Sequence, residues 1–111
     1  MLNIETQEIS GTHVVSIEGD VDLSGSPQVR TALLAVCGKT ALTVVDMTGV
    51  SSIDSSGIAS LLEGHQQAKK KGCQLILAAS GDSVMRVLGL AKLDDVFQLA
   101  TTVEAAMELM D

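Results

Sequence analysis

Apolar and polar residues alternate over Leu2-Asn3-Ile4-Glu5-Thr6, the period-two signature of a half-exposed strand. Ser10-Gly11-Thr12 reads as a turn and Val14-Val15-Ser16-Ile17 as a second strand, so the chain opens with a hairpin. Ser26-Pro27 has the form of an N-cap followed by Pro at the first helical position. Val29, Ala32, Leu33 and Val36 then recur at i, i+3, i+4 and i+7, predicting an amphipathic helix stopped by Gly38. Leu42-Thr43-Val44-Val45-Asp46-Met47 is apolar on both faces and reads as a central strand that ends near Asp46.

The second half repeats the alternation. A polar loop is expected after Asp46, then a helix from Ser55 or Ser56 with Ile58, Leu61, Leu62 and His65 on one face, running to Lys71-Gly72. Lys69, Lys70 and Lys71 complement the carbonyl end of that helix. Leu75 to Ala78 is a buried strand; Val84, Val87, Leu88 and Ala91 mark a short helix begun near Ser80 to Ser83; Val96 to Leu99 is a last strand. Thr101-Thr102-Val103-Glu104 reads as a capping box for a final helix lined by Val103, Ala106, Met107 and Met110. The order β-β-α-β-α-β-α-β-α predicts an α/β fold, a mixed sheet of four to five strands with the hairpin at one side and about four helices, the crossovers mainly on one face. Val44, Leu61, Leu62, Leu75, Leu77, Val87 and Leu88 are expected to be largely buried.

Length and composition sharpen this picture. The chain has 111 residues, 46% of them hydrophobic and 19% charged, enough apolar surface for one folded domain over residues 1–111 and too much for a disordered chain. One aromatic residue, Phe97, and a net charge of −7 argue against a base-stacking or phosphate-binding nucleic-acid partner. Cys37 and Cys73 lie far apart, outside any metal-ligand or redox spacing, and are expected to be reduced thiols. The first residues are acidic where a secretory signal would be basic, and no apolar run approaches the roughly 18 residues of a bilayer span. A cytoplasmic protein without direct membrane insertion is expected.

The candidate chemistry lies between Asp46 and Gly57, Asp-Met-Thr-Gly-Val-Ser-Ser-Ile-Asp-Ser-Ser-Gly. Asp54, Ser55 and Ser56 are all competent helix caps, and three in a row exceed what one cap requires. Open α/β sheets place their sites at such strand-to-helix loops. The free N–H groups of the helix start are expected to accept an anion, including a phosphate carried by a serine there.

This stretch resembles the signature of STAS domains, the family of bacterial anti-sigma factor antagonists. Asp46, Thr48, Val50, Ile53 and Asp54-Ser55-Ser56-Gly57 fall at the family's spacing, and Gly19-Asp20-Val21-Asp22-Leu23 resembles its segment after the second strand. The resemblance covers nearly the whole chain. It implies a STAS-like fold and a partner-switching protein. The unmodified antagonist would bind an anti-sigma factor that is also an ATP-dependent serine kinase, and a sigma factor would be released. The kinase would phosphorylate Ser55, the phosphorylated form would let go, and a metal-dependent serine phosphatase would reset it. Asp22, Asp54, Ser55, Ser56 and Gly57 are then the expected partner-binding residues, with Asp22 beside Ser55. No cofactor is expected, because the nucleotide and metals belong to the partners and the chain has no phosphate-binding glycine loop.

Other readings stay open at this point. The same family resemblance accommodates a constitutive subunit of an ABC-type phospholipid transport complex, or a partner switch in another signalling pathway. Enzymatic activity is not expected: His13 and His65 accompany serines and aspartates, but the chain has no Gly-x-Ser-x-Gly elbow. Asp20 and Asp22 together offer too few oxygen ligands for a divalent ion, and Asp20 reads as a solvated loop residue before Pro27. His65 reads as a half-buried histidine, Met107 as core packing, and Lys69 to Lys71 as a solvated helix end.

Overall fold

The computed structural model describes residues 2–109. Five strands, β1 (Asn3–Ile9), β2 (Thr12–Val21), β3 (Leu42–Ile53), β4 (Gln74–Ala78) and β5 (Gln98–Ala100), alternate after the hairpin with α1 (Ser26–Val36), α2 (Ser55–Lys70), α3 (Asp82–Leu90) and α4 (Val103–Glu108). The strands stand in sequence order β1-β2-β3-β4-β5. β1 pairs antiparallel with β2, and every later pairing is parallel. The predicted order and mixed sheet are therefore the observed ones.

Successive parallel neighbours joined by right-handed crossovers must carry their helices on the same side of the sheet. The core shows this. Val29 and Leu33 of α1, Ile58 and Leu61 of α2, and Val84 and Leu88 of α3 pack with Val15, Ile17, Val45, Met47, Leu75 and Leu77 of the sheet. The alternate residues Val14, Val44, Ile76 and Ala78 face the other side, where Ala106 of α4 covers them. This two-sided burial explains the nearly continuous apolar runs of β3 and β4. Of the predicted core, Val44, Leu61, Leu75, Leu77 and Leu88 are buried, whereas Leu62 and Val87 are half-buried at its margin.

The main correction concerns the segment after Asp46. It is not a loop: β3 continues to Ile53 and pairs with β2 to its end. Ser16 and Glu18 of β2 sit opposite Asp46 and Gly49, and Gly19 and Asp20 opposite Val50 and Ser52. Each interval holds one residue more on β3, so the strand carries two bulges. Its buried residues Met47, Val50 and Ile53 consequently fall three apart, a spacing that hides a strand from a period-two reading. Asp46 holds the first bulge, its Oδ1 accepting from the Thr48 N–H at 3.1 Å and the Thr48 hydroxyl at 2.6 Å. Asp20 likewise belongs to β2 and not to a loop, and accepts from the Ser52 hydroxyl at 2.7 Å.

Two helix caps and the bounds of the last strand also differ from expectation. Gly25, not Ser26, stands at the N-cap of α1, and Pro27 is the second helical residue. α4 is capped by Thr102, which accepts from the Ala105 N–H at 3.0 Å, so the cap lies one residue beyond Thr101 and Glu104 is too early to close a box. The last strand is Gln98–Ala100 rather than Val96 to Leu99, because Val96 and Phe97 are held in a turn by the Leu93 carbonyl. Met110, expected on the last helix, lies outside the described residues. Cys37 is buried and Cys73 half-buried, both as free thiols, and burial pushes the Cys37 thiol up to about 11.

Candidate functional site

β2 and β3 end level with each other, Val21 registered with Ile53. The next residues, Asp22 and Asp54, therefore emerge together at the carboxyl end of the sheet. The Asp54 N–H donates to the Val21 carbonyl at 3.1 Å and ties the two ends. α2 starts at once: Asp54 is its N-cap, and Oδ1 accepts from the Ser56 N–H at 3.0 Å, the Gly57 N–H at 3.1 Å and the Ser56 hydroxyl at 2.6 Å.

These bonds separate the two serines chemically. The Ser56 hydroxyl is engaged by Asp54 and the residue is half-buried. Ser55 is the first residue of α2 and is exposed, and among the described residues no hydrogen bond holds its hydroxyl. Of the pair, only Ser55 presents a free nucleophilic oxygen to an incoming phosphoryl donor.

Gly57 brings α2 down onto the strand ends. A Cβ there would meet Ile53 Cγ1 at 2.6 Å, Val21 Cγ1 at 2.7 Å and the Val21 carbonyl at 2.8 Å. Two of these atoms are core methylene and methyl groups and one is backbone, so none yields easily. We expect Gly57→Ala to destabilise the fold by about 1–3 kcal/mol through overpacking, read as a lower midpoint in urea with an unchanged slope. A second tie runs from α2 to α1, where the buried Ser60 hydroxyl donates to the Ser26 carbonyl at 3.0 Å.

Asp22 is exposed and built into a turn of its own: Oδ1 accepts from the Ser24 hydroxyl at 2.7 Å and from the Ser24 and Gly25 N–H groups at 3.0 and 3.2 Å. The Ser24 hydroxyl holds the Asp22 carboxyl below the usual value of 3.8, and the Ser56 hydroxyl does the same for Asp54. Both are thus carboxylates at neutral pH. Groups with lowered folded values bind protons more readily when unfolded. Their stabilisation is complete above 3.8 and is lost as the pH falls through the lowered values. The double variant Asp22→Asn/Asp54→Asn should therefore show a flatter acid limb than the parent when melting temperature is followed from about pH 6 to about pH 2.

The expected phosphate cradle needs correction. The Ser56 and Gly57 N–H groups already serve Asp54, and the Ile58 N–H serves the Asp54 carbonyl at 3.0 Å. A phosphate on Ser55 would meet a filled cap beside two carboxylates instead of open donors.

The remaining motif residues do not join the site. Val50 and Ile53 are core, while Asp46 and Thr48 line a cleft of about 410 Å³ with Asn3, Glu5, Ser16 and Glu18. His13 bonds Thr40 at 3.0 Å, and His65 packs on Phe97 with ring centroids 5.4 Å apart. Burial, then Lys69, lowers the pKa of His65 below 6.5. Among the described residues neither histidine is hydrogen-bonded to Ser55.

A family model described as the STAS domain matches residues 3–106. The chain belongs to the STAS domain family. Among curated STAS relatives it is 24% identical over 100 residues to the anti-sigma-B factor antagonist of Listeria monocytogenes, covering 88% of each chain. It is 22% identical over 107 residues to the anti-sigma-B factor antagonist of Bacillus subtilis, covering 96% of this chain and 98% of that one. The fold matches an anti-sigma factor antagonist from Mycobacterium paratuberculosis with a TM-score of 0.88 at 24% identity, covering 98% of this chain and 93% of that one. It also matches a sulfate transporter family protein from Wolinella succinogenes with a TM-score of 0.79 at 17% identity, over 93% and 87% of the two chains. Both structural likenesses are ones of fold alone. Among the described residues no helix is long and apolar enough to cross a membrane.

Proposed function

We propose that this STAS domain is an anti-sigma factor antagonist whose hold on its partner is switched by phosphorylation of Ser55. In the unmodified state it binds an anti-sigma factor serine kinase and displaces a sigma factor. The kinase then transfers the γ-phosphoryl group of ATP to Ser55 Oγ, with loss of the hydroxyl proton and release of ADP. A metal-dependent serine phosphatase hydrolyses the ester and restores the binding form. The domain is a substrate and a ligand in this cycle and not an enzyme, and it acts in the cytoplasm.

The observation that carries this reading is the contrast between the two serines. Ser55 is exposed with a free hydroxyl on a fixed turn, while Ser56 is spent on the cap. The two curated relatives, both anti-sigma-B factor antagonists over nearly their whole length, support the same role. Asp22, Asp54, Ser56 and Gly57 shape the partner-binding surface around Ser55. The test is release: a purified complex of a host sigma factor with its anti-sigma kinase is titrated with this protein. The expected result is free sigma factor in proportion to added antagonist. A complex left intact at saturating antagonist, for every sigma factor and kinase pair of the host, would refute the proposal.

A further inference from the structure

β2 and β3 end in the same turn. In Asp54-Ser55-Ser56-Gly57 the aspartate Oδ1 accepts from the N–H two residues on, the hydroxyl of that residue, and the N–H three residues on, at 3.0, 2.6 and 3.1 Å. In Asp22-Leu23-Ser24-Gly25 the same three bonds measure 3.0, 2.7 and 3.2 Å. A fourth, from the N–H four residues on to the aspartate carbonyl, is 3.0 Å for Ile58 and 2.8 Å for Ser26. The turns stand side by side, since Val21 is registered with Ile53 and neighbouring strands run about 4.8 Å apart. In each turn the side chain of the second residue takes no part in these bonds. Those residues are Ser55 and Leu23, and Leu23 is 76% exposed.

We infer that Leu23 is an apolar anchor of the partner-binding surface, the constant contact beside the switched one at Ser55. The inference rests on the Ser55 reading given above and adds the chemistry of the partner. The partner presents an apolar pocket for Leu23, rimmed by basic side chains that meet the carboxylates of Asp22 and Asp54. A leucine on a turn fixed by four hydrogen bonds has little backbone freedom to lose on docking. Its burial removes apolar surface from water without disturbing the fold of the free domain. Exposure alone does not make an anchor. Leu90 is 79% exposed, but it ends α3, whose first turn is the end tied to the site side of the sheet through the Ser83 hydroxyl and the Ser51 carbonyl. Leu90 therefore lies toward the opposite end and serves as the control.

The test compares wild type, Leu23→Ala, Leu23→Gln and Leu90→Ala by calorimetric titration into the purified anti-sigma kinase that wild type binds. Leu23→Ala should weaken binding about 10- to 100-fold, Leu23→Gln at least as much, and Leu90→Ala should bind as wild type does. All variants should keep the parental melting temperature. Parental affinity in both Leu23 variants, with Ser55→Asp still blocking binding, would overturn the anchor and leave the switch standing. A wild type that binds none of the host's anti-sigma kinases would overturn both. Unfolding of both Leu23 variants would contradict the claim that this side chain is free of the fold.

Discussion

Ser55→Asp is expected to weaken binding to the anti-sigma kinase by about 30- to several-thousand-fold, equivalent to roughly 2–5 kcal/mol for a charge left poorly paired in an interface. The structure raises this expectation in a particular way. The helix start that would welcome an anion is occupied, its Ser56 and Gly57 N–H groups bound to Asp54. Asp22 and Asp54 are held ionised by their own hydrogen bonds, and the chain carries a net charge of −7. A new negative charge at Ser55 therefore meets repulsion in the free domain and must be desolvated in the complex. Phosphate, with about −1.5 to −2 charges, should act more strongly than the single carboxylate. Ser55→Ala removes only an unbonded hydroxyl and should bind persistently. Both variants should keep the parental circular dichroism, because no bond of the cap involves the Ser55 side chain among the described residues. Binding titrations of the three proteins read the effect directly. Equal affinity in all three would indicate a constitutive subunit, and loss in both variants would make the hydroxyl itself a required contact.

The second large effect is on stability. Leu61→Ala should lower the free energy of unfolding by about 2–5 kcal/mol, with a fall in melting temperature on the order of 10–25 °C. Leu61 is fully buried at 0% exposure, in the middle of α2 and in the main core under the sheet. Around it, Gly64 has only 3.1–3.3 Å between a virtual Cβ and Leu33 or Leu75, so the helix already lies as close as its neighbours allow and has little room to settle into the void. Since α2 begins at Ser55, the same substitution loosens the element that presents Ser55. Thermal melts with and without saturating kinase would separate the two consequences: ligand should recover part of the lost melting temperature. A fall of only a degree or two would show that α2 is not seated on the sheet as described.

The fold was legible where hydrophobic period and chain punctuation agree. The hairpin, three crossover helices and buried β4 follow from alternation, from i, i+3, i+4 spacing and from glycines at element ends. The far half of β3 was not legible, because two bulges set Met47, Val50 and Ile53 three residues apart and polar residues between them mimic a loop. The helix caps were off by one residue where adjacent Gly-Ser or Thr-Thr pairs compete for the same role. At the site, Asp54-Ser55-Ser56-Gly57 stood out because its cap-competent residues cluster. The matching Asp22-Leu23-Ser24-Gly25 turn did not, since a leucine in the second position masks the shared pattern and only the hydrogen bonds reveal it. The division of labour between Ser55 and Ser56 is likewise a matter of geometry, invisible in two adjacent identical letters.

Phosphosite mapping tests the central claim most directly. The protein is incubated with ATP, magnesium and the purified anti-sigma kinase that binds it, and then sequenced by tandem mass spectrometry. The predicted result is one phosphate per chain, on Ser55, absent from Ser55→Ala and leaving Ser56 unmodified. Phosphate on Ser56 in place of Ser55, or a bound kinase that leaves Ser55 unmodified, would contradict the account.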